Sequence, residues 1–179
     1  MNARTLELSE HLARGRSSLL SALDGIASAD RDRQPAPAVW SATQVLAHLG
    51  RTEGQIAAFL RRMLYDAGDL PAASDSALPV LQSMPGQDLL LDRVTRYEAP
   101  EFAQPDPTLD FERAFDNCRR VRDRLQDLVD RTDNFDTSAM QQEHHVFGML
   151  QFDHWIAFAG FHEQRHAGQL RELAVALRG

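Results

Sequence analysis

Four stretches of this chain repeat apolar residues with the 3.6-residue period of an amphipathic helix, and prolines crowd the longest gap between them. The first stretch runs from Arg4 to Ile26, with Leu8, Leu12, Leu19, Leu20 and Leu23 as its stripe and Gly25 loosening its end. A polar connector, Ala29 to Val39, holds Pro35 and Pro37 and reads as loop. The second helix opens at Ser41 and continues through Leu46, Leu49, Ile56, Phe59 and Met63 to Asp66. Ser41 followed by Gln44 is a capping box, in which hydroxyl and side-chain amide satisfy backbone groups that a helix start leaves unpaired.

Residues 67 to 107 contain Pro71, Pro79, Pro85, Pro100, Pro105 and Pro107, which exclude a long regular element and leave room for a short helix from Gln87 to Arg93. So long a connection inside a compact domain tends to line or cover a binding site. The third helix, Thr108 to Arg131, sets Phe111, Phe115, Cys118, Val121, Leu125 and Leu128 on one side, with Asp110 and Glu112 suiting the dipole at its start and Arg131 at its end. A second loop, Asn134 to Phe147, leads to a fourth helix from Gly148 to Leu177. No internal repeat, low-complexity tract or strand pair is evident. The expectation is an all-α fold: one domain over residues 1–179, a four-helix bundle with a long crossover connection between helices two and three.

Bulk properties exclude several function classes. At 179 residues the chain buries a core without needing a disulfide or metal as staple. Its longest apolar run falls far short of the ~20 residues that span a bilayer, so no membrane partner is expected. The first ten residues carry Glu7 and Glu10 and lack a signal-peptide pattern, so a cytoplasmic location is expected. A net charge of −7 argues against nucleic acid as partner, which demands clustered cations. All 19 basic residues are arginine, which excludes Schiff-base chemistry and lysine bases. Cys118 is the single cysteine, so there is no disulfide framework and no thiolate metal cage, in keeping with a reducing compartment.

The strongest chemical signal is His162-Glu163-Gln164-Arg165-His166 in the fourth helix. Histidines four apart lie ~40° around a helix and one turn along it, so both rings can face one ion. Their neutral nitrogens suit zinc, nickel, iron or copper. The same five residues match the H-E-x-x-H of zinc peptidases. A metzincin, however, needs Gly and His where Gln169 and Glu172 stand. The gluzincin pattern needs a glutamate far downstream, and the sequence reaches only Gly179. No strand edge is evident to align a peptide, and a peptidase is disfavoured. A di-iron carboxylate bundle needs a second E-x-x-H helix, which is missing.

The third ligand is sought among His11, His48, His144, His145 and His154. His154 lies two turns from His162 and ~80° around, too far to share its ion. His144 and His145, on a loop, stay open as alternatives. His48 is the best candidate, because Gln44, Val45, Thr52, Gln55, Ile56 and Phe59 share its side of helix two and turn that side inward. Gln44, Thr52, Gln55 and Gln169 are candidate pocket or cofactor-binding groups, although interhelical hydrogen bonds explain them equally well. Glu163 stands ~60° from His166 at the edge of the metal face, where it is a candidate general base or ring-orienting group. Its alternative is a salt-bridged or solvated surface carboxylate. Arg119, Arg120, Arg122 and Arg124 alternate with Asp116, Asp123 and Asp127 and read as a solvated face. Cys118, Trp40 and Trp155 read as core.

The segment Trp40–Leu49, the segment Glu98–Phe102, Val146-Phe147-Gly148 and the segment Phe161–Leu170 together resemble, in order, the DinB-like superfamily, which includes YfiT-like hydrolases and bacillithiol or mycothiol S-transferases. The resemblance implies metal ligands at His48, His162 and His166, one divalent ion (zinc or nickel) with an open position, and a homodimer. It also implies a small-molecule substrate, with a low-molecular-weight thiol as possible co-substrate. Some relatives join such a thiol to an electrophile, others are described as hydrolases, and some lack the ligands, all of which are present here. Two function classes follow: a metal-dependent transferase or hydrolase, or a non-catalytic metal- or ligand-binding stress-response bundle.

Overall fold

A computed structural model describes residues 1–73, 79–95 and 98–179. Four long helices dominate: α1 (Ala3–Asp24), α2 (Ala42–Ala67), α5 (Phe111–Arg131) and α6 (Phe152–Ala176). Between α2 and α5 the described residues of the crossover hold two short helices, α3 (Val80–Ser83) and α4 (Gln87–Leu91), and a 3₁₀ turn, Glu101–Ala103. The expected short helix is therefore α4, while α3 and the 3₁₀ turn lie below the length at which periodicity shows. Helix α1 packs chiefly on α6 and α2 on α5, and contact of α2 with α6 joins the two pairs. No helix among the described residues is long and apolar enough to cross a membrane.

The helix starts obey local chemistry. Ser41 and Gln44 form the capping box of α2, with Ser41 N donating to Gln44 Oε1 at 2.9 Å and Gln44 N to Ser41 Oγ at 3.2 Å. Asn2 caps α1 by accepting from Thr5 N. Asp110 caps α5 by accepting from Arg113 N at 2.8 Å, so that helix begins at Phe111 and not at Thr108.

The expected second loop is partly a hairpin, which corrects the reading that no strand pair exists. Strands β1 (Gln141–His144) and β2 (Gly148–Gln151) pair antiparallel, with His144 opposite Gly148 and Gln141 opposite Gln151. Helix α6 consequently starts at Phe152. Four-residue strands reading Gln-Gln-Glu-His and Gly-Met-Leu-Gln carry too little apolar alternation to be recognised. Burial of Leu150 anchors the hairpin, and Gly148 supplies the positive φ (70°) that its turn requires.

The core has two apolar tiers. One gathers Leu8, Leu12, Ile56, Leu60, Leu125, Leu128, Phe152 and Phe161, the other Leu19, Leu23, Val45, Leu49, Ala114, Cys118, Leu170 and Leu173. Between them lies a charged layer with one residue from each long helix: Arg16, Glu53, Arg122 and Glu163. Glu53 and Glu163 have no solvent-exposed side-chain surface. Arg122 Nη2 stands 2.7 Å from Glu163 Oε2 and 3.4 Å from Glu53 Oε2, and Arg16 Nη2 stands 2.6 Å from Glu163 Oε1. Arg122 therefore leaves the solvated face assigned to it above, whereas Arg119 and Arg120 pair on the surface with Asp116 as expected.

Helices α1 and α6 touch closely at Gly15 and Gly160. A Cβ on Gly160 would fall 2.4 Å from the ring of buried His11, whose Nε2 is 2.9 Å from Ala157 O. Gly160→Ala should therefore destabilise the fold by about 1–3 kcal/mol through overpacking, as read from urea unfolding.

Candidate metal centre

Two helices present the three histidines. Helix α6 displays His162 and His166 one turn apart, and α2 displays His48 from its inward stripe. Nε2 of His162 lies 3.2 Å from Nε2 of His48 and 3.0 Å from Nε2 of His166. Ligand atoms of the three rings all fall within 4.8 Å of one another. Two imidazole nitrogens on one tetrahedral zinc ion stand about 3.3 Å apart, given Zn–N bonds near 2.0–2.1 Å.

The far side of two rings fixes which nitrogen carries the proton. His48 Nδ1 is 2.6 Å from the carbonyl oxygen of Ala103, and His166 Nδ1 is 2.8 Å from Gln169 Oε1. Both oxygens accept, so both Nδ1 atoms donate, and a neutral ring then offers only a lone pair at Nε2. Burial pushes the pKa of His48 down and those of His162 and His166 well down, so the rings are neutral near pH 7. Two bare lone pairs thus crowd His162 Nε2, and a single proton there could serve only one of them. A divalent cation satisfies all three, so the residues fit a metal ion.

Aromatic rings wall the centre. Trp40 lies 4.9 Å from His48 and stacks at 6.4 Å over His166, while Phe158 stacks at 5.3 Å on His162. Trp40, read from sequence as core, is half-buried and borders the site. Its place just before the cap of α2 was the available hint. The Ala103 carbonyl gave no hint, because a backbone acceptor has no residue-type signature.

The other sequence candidates fall in varied places. Gln169 holds His166, and Gln44 is engaged in capping α2. Gln55 Nε2 donates to Phe102 O at 3.0 Å. Thr52 has a buried hydroxyl with no hydrogen-bonding partner among the described residues. Glu163 is salt-bridged, as its alternative reading expected, but it is fully buried and not on the surface. Its carboxylate pairs with Arg16 and Arg122, His48 and His166 take other acceptors, and His162 Nδ1 finds no partner among the described residues. A stripe-breaking charge at position 163, between Ala159 and His166, was the signal for burial. His144 and His154 also stand apart from the cluster. His144 Nδ1 accepts from Val146 N and Phe147 N within the hairpin, and His154 meets Ser83 Oγ at 3.2 Å.

The family model of the DinB superfamily matches residues 11–170. The chain belongs to the DinB superfamily. No curated protein and no solved structure matches it. Membership and the buried histidine triad together fit a DinB metal-binding enzyme.

Buried histidines outside the centre set a pH dependence. Burial lowers the pKa of His11 and of His144 from 6.5 to about 4. Each binds a proton in the unfolded chain before it does so in the fold, so their contribution is complete above pH 6.5 and lost as pH falls toward 4. For His11 this amounts to on the order of 3 kcal/mol. Glu53, which burial pushes up to about 8, works with the opposite sign: its contribution is complete below 4.5 and lost as pH rises through 8. Metal-free protein should therefore lose urea stability on acidification from pH 6.5 to 4.5, the two histidines outweighing Glu53.

Proposed function

We propose that this DinB protein is a metal-dependent enzyme that activates a low-molecular-weight thiol for transfer to a small electrophile. The observation that carries this reading is the convergence of three neutral Nε2 atoms with no carboxylate among them. His48, His162 and His166 would hold a divalent zinc or nickel ion there without neutralising its charge, and such an ion would lower the pKa of a thiol or water beside it.

Thiol is favoured over water by what surrounds the rings. Among the described residues no carboxylate joins the triad within metal-binding reach, and the nearest in sequence, Glu163, is matched to two guanidinium groups. A thiol, with pKa near ~8.5, ionises beside a cation without a protein base, whereas water starts from ~15.7. In the transfer the sulfur forms a bond to an electrophilic carbon, the leaving group departs with the old bonding pair, and the thiol proton goes to solvent. Trp40 and Phe158 exclude water from the ring faces, and Ala103 O and Gln169 hold the Nδ1 protons so that Nε2 stays available. Cys118 is not the nucleophile: it is buried, and burial pushes its thiol up to about 12.

The test is a panel of thiols and electrophiles offered to zinc- or nickel-loaded protein. Conjugation that needs the thiol and disappears in His48→Ala supports the proposal. Turnover without thiol would move the reading to a hydrolase. No turnover beside tight metal binding would favour a non-catalytic binding bundle.

A further inference from the structure

The crossover between α2 and α5 is tied to both helices that carry the histidines. On the α6 side, Arg165 donates to the carbonyls of Leu90, Asp92 and Thr95, and Arg93 pairs with Glu172 at 2.7 Å. On the α2 side, three consecutive carbonyls are taken in turn: Phe102 O by Gln55 at 3.0 Å, Ala103 O by His48 at 2.6 Å and Gln104 O by Arg51 at 3.2 Å. His48, Arg51 and Gln55 are spaced along one face of α2 at successive turns, so that face grips a single 3₁₀ turn of the crossover. The middle grip is the ring whose other nitrogen faces the metal centre.

We propose that Arg51 and Gln55 are positioning residues for the metal centre: they fix the Ala103 carbonyl that orients His48, and so couple metal binding to docking of the 100–104 turn. This deepens the metal reading above and rests on it. A cation at Nε2 withdraws charge from the imidazole and makes Nδ1–H a stronger donor to Ala103, and an outer partner of this kind is worth ~10–100-fold in metal affinity. Coupling is reciprocal, so whatever factor the docked turn adds to affinity, the ion adds to docking. Both side chains are exposed, so removing them leaves the core intact.

The experiment titrates full-length parent, Arg51→Ala/Gln55→Ala and Arg51→Lys/Gln55→Ala with Zn²⁺ against a chromophoric chelator. It also follows amide exchange at Ala103 and Gln104, whose N–H groups close the turn onto Pro100 O and Glu101 O. Expected are about tenfold weaker Zn²⁺ binding in the double-alanine variant, partial recovery with lysine, and exchange slowed by Zn²⁺ in the parent about tenfold but not in the double-alanine variant. Parent binding that the double-alanine variant matches within about twofold, or exchange indifferent to Zn²⁺ in the parent, overturns the inference and leaves the metal reading standing. Weaker binding that comes with a lower metal-free melting temperature, unrelieved by lysine, marks a merely structural role and also overturns it. A parent that binds no Zn²⁺ removes both readings together.

Discussion

His162→Ala should abolish stoichiometric Zn²⁺ binding and the thermal stabilisation that Zn²⁺ gives the parent, while His154→Ala should leave both in place. His162 Nε2 is the central atom of the triad, in contact with both other Nε2 atoms. Without it, the remaining pair cannot enclose an ion, and the loss should exceed the ~10–100-fold that follows removal of an outer partner. A ligand that binds only the folded chain stabilises it by about 2.7 kcal/mol at a hundred times its Kd. A melting series with rising Zn²⁺ therefore reports the same site without any assay of turnover. Unchanged stabilisation in His162→Ala would mean that the ion binds elsewhere.

Arg122→Met should cost about 3–5 kcal/mol of folding stability in urea, since it leaves the fully buried carboxylate of Glu163 with Arg16 as its remaining counterion and takes the guanidinium away from Glu53, whose carboxyl burial holds protonated near neutral pH. Removal of the exposed Arg62–Asp66 pair, by contrast, should change stability by less than about 1 kcal/mol. The triple change Arg122→Met, Glu53→Gln, Glu163→Gln should recover part of the loss, because the penalty arises from unpaired charge and not from lost volume. A loss below about 1 kcal/mol in Arg122→Met would show that water reaches the layer.

Much of this molecule was legible because its long helices bury one stripe each. The four periods located α1, α2, α5 and α6, and Ser41 with Gln44 marked where α2 begins. The hairpin was not legible, since two four-residue strands of mostly polar residues hold themselves by backbone pairing and by one buried leucine. Within the site, His162 and His166 could be paired and His48 preferred because helical spacing carries side-chain direction, whereas His144 and His145, on a loop, stayed open until the family resemblance pointed to the full set. The charged layer was legible in principle and was missed. Arg16 falls between Leu12 and Leu19, Glu53 between Leu49 and Ile56, Arg122 between Cys118 and Leu125, and Glu163 between Ala159 and His166, each on the apolar stripe of its own helix. Taken singly, Arg122 looked like its three solvated neighbours. Only the four interruptions together reveal a shared level in the bundle. The grip of Arg51 and Gln55 on backbone carbonyls left no trace in sequence, because any turn offers the same acceptors.

Smooth hydrophobic cylinders can slip past one another, since a leucine on one turn is much like a leucine on the next. The band of Arg16, Glu53, Arg122 and Glu163 forbids such slippage here. A shift of one turn, about 5.4 Å, would strand Glu53 opposite hydrocarbon and carry His48 out of line with the pair on α6. The glutamate inside a string that reads like a peptidase signature thus serves as a notch in a ruler, keeping two independent helices level so that three rings meet at one point.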